Sequence, residues 1–258
     1  MRSFLRSLET EGARYLLISG QACVLYGASQ FTEDVDLWLQ PAARDLAGLL
    51  RSLAKVKAVV HKLTPPPSLS LVQRGHGFHF LIPPDTYLDV MGRPPRVGPF
   101  STALSRARRM KTDWGTLPVV APEDLVLLKR TNRPSDYEAI TNLVRLRRAE
   151  APDDPGVLRW CLENTFDVDD LIDTAALAAN RLKRWPGRAA LRALLPLSKG
   201  SGRVPSDRRL RASRLLALEA ADLQEKGRRY WVPFLRELKM LRSKGRLVPP
   251  GTPVASLL

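Results

Sequence analysis

Cysteine is nearly absent: Cys23 and Cys161 are the only two in 258 residues. They lie far apart, so they do not make a short metal-binding motif or a disulfide framework. Cys23 sits among apolar residues and reads as a small buried hydrophobe. Histidine is equally scarce. His61, His76 and His79 form no cluster that would hold zinc. Long apolar runs are missing too. Stretches such as Tyr15 to Ile18 and Leu125 to Leu128 fall well short of the roughly 20 residues a membrane helix needs. The N-terminus, MRSFLRSLETEG, is charged every few residues and lacks the apolar core of a signal peptide. A cytoplasmic location with no membrane partner is therefore expected. Negative charge is also in short supply, with 26 Asp and Glu against 41 Lys and Arg and a net charge of +15.

The imbalance is local. Residues 181–258 hold 19 Lys and Arg against 5 Asp and Glu, a net +14, whereas 151–180 hold one Arg against seven acids, a net −6. A segment as basic as the first attracts polyanions by counterion release and long-range steering, so RNA is the expected partner. The plainer reading is a basic surface from an arginine-favouring composition.

Periodicity places the elements. Residues 3–11 read as a helix and Tyr15 to Ser19 as a buried strand, and Gln21 to Gly27 has helical spacing. Asp34 to Leu39 alternates strictly, with Val35, Leu37 and Leu39 on one face and Asp34, Asp36 and Trp38 on the other. Pro41 opens a helix over 42–54. The triple proline at 65–67 excludes regular structure there. Leu69 to Val72 and Phe78 to Ile82 read as strands around Gly75-His76-Gly77, followed by strands at Tyr87 to Met91 and Val119 to Val120. A helix begins at Pro122 with acids in its first turn. This predicts an α+β domain over 1–150. Beyond Pro155 the pattern is helical, over 156–165, 168–184, 187–196, 207–226 and 230–243, with a flexible break at 198–206 and a loose tail from Pro249. A helical, basic C-terminal domain over 151–258 is expected.

The chemistry concentrates in residues 15–39, YLLISGQACVLYGASQFTEDVDLWL. A strand ends in a small-residue turn, a short helix follows, and the next strand carries Asp34 and Asp36 on one face. Two carboxylates on one face repel, and a divalent cation is the simplest way to offset that. Hard oxygen donors suit magnesium, which commonly takes one or two carboxylates plus substrate phosphates. Gly20 can take a positive φ and let a phosphate approach the backbone, and the amides opening the next helix favour anions. Asp89, in the strand YLDVM, is the candidate third carboxylate. Its rival Asp85 follows two prolines and reads as a turn residue.

This segment resembles the nucleotidyltransferase, or DNA polymerase β-like, superfamily. The details are most similar to its minimal MNT- and AbiEii-type branch, including the MenT-like toxins. The residues that carry the resemblance are Ser19-Gly20-Gln21-Ala22, Gly27, Thr32, Asp34-Val35-Asp36 and Asp89, then APEDLVLLKRTNRPSDYEAI with Lys129 and Asp136. It covers roughly residues 14–145. It implies a nucleotidyltransferase fold, with a mixed β-sheet flanked by helices. It also implies transfer of a nucleoside monophosphate from an NTP, with pyrophosphate leaving. Asp34, Asp36 and Asp89 would be catalytic and would hold two Mg2+ ions. Ser19, Gly20 and Lys129, with Asp136 as the partner of Lys129, would contact the nucleotide. Two positions depart from the pattern: Ser19 replaces the first glycine of a pair, and Gln30 or Phe31 stands where an arginine is common.

The acceptor is expected to be RNA, the tRNA 3′ end first, in a toxin with an antitoxin protein as partner. AMPylation of a protein, nucleotidylation of a small molecule, and a non-catalytic nucleic-acid-binding module are the alternatives. Lys111 and the Arg106, Arg108 and Arg109 cluster read as a solvated face. Tyr230 and Trp231 read as core residues and His79 as structural.

Overall fold

Alternating apolar side chains build a sheet, and its register places the acids. The computed structural model describes residues 1–182, 185, 187–195 and 204–258. They form two units, one of Met1–Leu25, Ser29–Leu128 and Tyr230–Leu258, the other of Tyr26–Ala28 and Lys129–Arg229. The architecture is α+β.

The first unit holds seven strands: β1 (Tyr15–Ile18), β2 (Asp34–Leu39), β3 (Val59–Val60), β4 (Gly77–Ile82), β5 (Thr86–Met91), β6 (Arg108–Thr112) and β7 (Gly115–Val119). They make one mixed sheet in the order β3-β4-β5-β2-β1-β7-β6. The β2–β5 and β1–β7 pairs are parallel and the rest antiparallel. Helices α1 (Arg2–Thr10), α2 (Ser19–Tyr26), α3 (Ala43–Lys55), α4 (Leu69–Arg74), α5 (Phe100–Arg106) and α6 (Pro122–Lys129) flank it. Val35, Leu37, Leu88, Val90, Phe78 and Phe80 form the buried face of its central strands. Helix α3 adds Leu46, Leu49, Leu50 and Leu53 at helical spacing.

The second unit is helical: α7 (Ser135–Glu150), α8 (Pro155–Asn164), α9 (Val168–Leu177), α10 (Ala189–Leu194) and the first part of α11 (Ser206–Ser243). Leu158, Leu162, Leu171, Leu191, Leu194 and Leu216 share its core. The acid-rich stretch 151–180 serves this packing. Asp154 and Asp167 cap α8 and α9 by accepting backbone N–H bonds. Buried Asp170 takes Arg145 at 2.7 Å and Arg148 at 3.1 Å.

Four expectations change. Leu69 to Val72 is the start of α4, not a strand. A four-residue segment with three apolar side chains fits either state, and the caps decide: the Ser68 hydroxyl accepts the Leu71 N–H and Gly75 ends the helix at φ 95°. The strand expected at Val119–Val120 is the end of β7, which hairpins with the unforeseen β6. The two helices expected over 207–226 and 230–243 are one, with Pro233 inside. Ion pairs Lys226–Asp222 and Arg229–Glu225, each four residues apart, carry the helix into the expected break. The tail is docked rather than loose. Thr252 O accepts from Val60 N at 2.9 Å, Gly251 N donates to Val60 O at 2.8 Å, and Val254 N donates to Ala58 O at 2.9 Å. The tail thereby satisfies the otherwise open edge of β3. Of the break expected at 198–206, residues 198–203 lie outside the described residues. No helix among the described residues is long and apolar enough to cross a membrane.

Candidate metal centre

Strands β2 and β5 run parallel in a register that sets Asp34 opposite Tyr87 and Asp36 opposite Asp89. Alternation then puts Asp34, Asp36 and Asp89 on one face, while Val35, Leu37, Leu88 and Val90 point into the core. One carboxylate oxygen from each acid can be chosen so that all three lie within 4.8 Å of one another. All three side chains are half-buried. Further along β2, the same face closes over: Trp38 is buried, meets Phe100 edge-on at 5.6 Å and donates Nε1–H to Gly92 O at 3.1 Å. The face is thus sealed at the Trp38 end and accessible at the Asp34 end. Three converging carboxylates repel one another in the absence of a counter-charge. Their hard oxygens form a donor set that fits magnesium or manganese.

Neighbouring residues hold two of the acids. The Thr32 hydroxyl donates to Asp34 Oδ1 at 2.7 Å. His79 lies opposite Asp89 across the antiparallel β4–β5 pair, and its Nδ1 is 2.7 Å from Asp89 Oδ1. The turn at Ser19–Gly20 lies beside them, because β1 ends at Ile18, opposite Asp36. Here the structure corrects the reason for the glycine. The positive φ, 58°, belongs to Ser19. What Gly20 provides is space, since a Cβ there would lie 2.4 Å from Thr32 Oγ1. Gly20 therefore lets Thr32 reach the position from which it bonds Asp34.

Lys129 and Asp136 pair with each other in the second unit. Lys129 Nζ is 2.9 Å from Asp136 Oδ1, and both side chains are buried. Thr131 and Arg133 also donate to the Asp136 carboxylate. Burial alone would raise the pKa of Asp136, but the Lys129 charge, the bonds from Thr131 and Lys129, and the Arg133 charge outweigh it and hold the group below its ordinary value.

Asp85 is exposed in the β4–β5 turn, as expected of a turn residue. His79, read from the sequence as structural, touches a candidate ligand. Its signal lay in the hairpin: a histidine in a strand that pairs with the YLDVM strand sits across from the acid once the register is known. Arg106 pairs with buried Asp124 at 2.7 Å. Tyr230 and Trp231 cluster with Phe234, which meets His76 edge-on at 5.1 Å.

No protein-family model matches the chain, and no curated protein matches it. Among solved structures, JHP933 from Helicobacter pylori is 12% identical, with 90% of this chain and 95% of that chain covered and a TM-score of 0.37. An H. pylori protein provisionally named a nucleotidyltransferase is also 12% identical, with 86% and 94% covered and a TM-score of 0.36. Likeness at this level carries no weight for fold or function.

Proposed function

We propose that the chain is a magnesium-dependent nucleotidyltransferase of the DNA polymerase β-like superfamily, moving a nucleoside monophosphate from an NTP to an acceptor hydroxyl. The observation that carries this reading is the convergence of Asp34, Asp36 and Asp89 within 4.8 Å on an accessible sheet face. The strand–turn–helix that opens at Ser19 adds support. In the reaction the acceptor oxygen bonds to the α-phosphorus as the bond to pyrophosphate breaks. Magnesium, two ions by the sequence resemblance, would supply Lewis acidity and lower the pKa of the acceptor hydroxyl.

The protein's part is positioning. Thr32 and His79 each engage one oxygen of a carboxylate, which fixes the orientation of Asp34 and Asp89. A triphosphate role for Ser19 and Gly20 rests on the sequence reading, and the β1–β2 register, which sets Ile18 opposite Asp36, supports it by bringing the turn beside the acids. The nucleotide roles of Lys129 and Asp136 rest on the sequence resemblance alone.

RNA is the proposed acceptor, the tRNA 3′ end first, and the net +14 of residues 181–258 supports it. A growth-inhibiting toxin held by an antitoxin protein is the biological role that this implies. The test is incubation with magnesium, each α-labelled NTP and total tRNA, beside Asp36→Ala. Label in tRNA from the wild type alone is the expected result. Label in a protein instead would mean AMPylation. Full transfer by Asp36→Ala would sink the metal assignment, and absence of both transfer and NTP binding would leave a non-catalytic module.

A further inference from the structure

Beside the carboxylates the first unit has a cavity of about 370 Å³, lined by Glu33, Asp34, His61, Lys62, Tyr87 and Asp89. Two of the six are candidate metal ligands, and two are aromatic. We propose that Tyr87 and His61 form a stacking platform for a nucleobase, an inference that rests on the transferase reading.

The placement follows from the strands. Tyr87 sits opposite Asp34 and shares the face of Asp89, two residues and about 6.7 Å further along β5. Its ring lies 4.5 Å from that of His61, tilted by 45°. His61 is anchored by its backbone, whose N–H donates to His79 O at 2.8 Å, and the adjacent Val60 is bonded to the docked tail. The platform is therefore built from fixed strand ends. Core packing does not account for Tyr87: Phe78 and Phe80 in the same sheet are fully buried, whereas Tyr87 is 39% exposed. A half-exposed ring beside a metal-binding cluster offers what the flat, apolar part of a nucleotide needs.

Charge argues in the same direction. Glu33, Asp34 and Asp89 line the cavity against the single cation Lys62, so a free anion is disfavoured there. A nucleobase is neutral and tolerates acidic walls, while its phosphates belong beside the metal. Stacking reads the π-face that every base shares, so the platform should hold all four with little discrimination. The base could belong to the incoming NTP or to the terminal nucleotide of the acceptor.

The experiment measures binding by calorimetry, with calcium in place of magnesium to slow turnover. The protein is the full chain, as wild type, Tyr87→Ala, Tyr87→Phe and His61→Ala. The probes are ATP, ribose triphosphate without a base, an oligonucleotide ending as a tRNA acceptor stem does, and its counterpart lacking the 3′ base. If the NTP base is held, Tyr87→Ala weakens ATP roughly tenfold or more, Tyr87→Phe stays near wild type, and ribose triphosphate binds both alike. The same pattern on the oligonucleotide, absent from its baseless counterpart, assigns the platform to the acceptor. Unchanged binding of ATP and oligonucleotide to Tyr87→Ala and His61→Ala overturns the platform and leaves the transferase reading intact. A wild type that binds neither probe overturns both. Unaltered ribose triphosphate binding shows that a variant is folded at the metal site.

Discussion

At the residue scale, His79 and Asp89 make a pair that one rung of an antiparallel ladder imposes. An oriented carboxylate binds metal better than a freely rotating one, and removing such a support typically costs ten- to a hundredfold in affinity. His79→Ala should therefore weaken Mn2+ binding by about tenfold, with little change in melting temperature, because the side chain is only half-buried. Manganese titration followed by electron paramagnetic resonance measures this, and an unchanged affinity would leave His79 a bystander. The acids themselves were legible in the sequence. Asp34 and Asp36 declare a shared face by strand period alone, and Asp89 stands out as a charge in an apolar strand. His79 was not legible in this way, because its partner depends on which residues face each other across the hairpin. Gly20 shows the same limit. Its presence was legible, but its reason, the close approach of Thr32, is a contact between residues twelve apart.

At the element scale, two arrangements invite tests. The first is the buried Lys129–Asp136 pair of the second unit. The folded carboxyl of Asp136 loses its proton at lower pH than the unfolded one, so the folded state binds fewer protons in that window and stability rises with pH. The contribution is complete above the ordinary value of 3.8 and fades as the pH falls towards the folded value. Thermal melts from pH 6 down to about pH 2 should show this loss. Asp136→Asn should flatten part of the slope and, by leaving Lys129 buried without a counter-charge, cost about 3–5 kcal/mol at neutral pH. The second arrangement is the tail on β3. Ending the chain after Leu247 removes Val248 and Val254, both buried, and uncovers a strand edge. The truncated chain should melt several degrees lower and form larger species in size-exclusion chromatography. An unchanged melt would make the docked tail ornamental. The strands β1, β2, β4 and β5 were readable because each alternates or runs apolar over at least four residues. Helix α4 was not, since its three apolar residues, Leu69, Leu71 and Val72, carry no clear period and only its caps, Ser68 and Gly75, mark it.

At the scale of the whole molecule, charge is the dominant property. A net +15 with +14 in residues 181–258 predicts RNA binding that weakens at least tenfold between about 50 and 200 mM salt. Filter binding with total tRNA reads this directly, and a flat salt dependence would assign the basic segment to something other than a polyanion. Composition and periodicity by themselves determined the α+β class, the paired acids of β2 and the charge asymmetry, because each follows from residue identity and order along the chain without knowing which segments meet. Tertiary structure alone decided that β5 lies parallel to β2 with Asp89 opposite Asp36, that His79 and Tyr87 join that face, and that 230–258 returns to the unit that holds the sheet. Strand register and chain return depend on packing between segments distant in sequence, and no local pattern of side chains encodes which strand a given edge will meet.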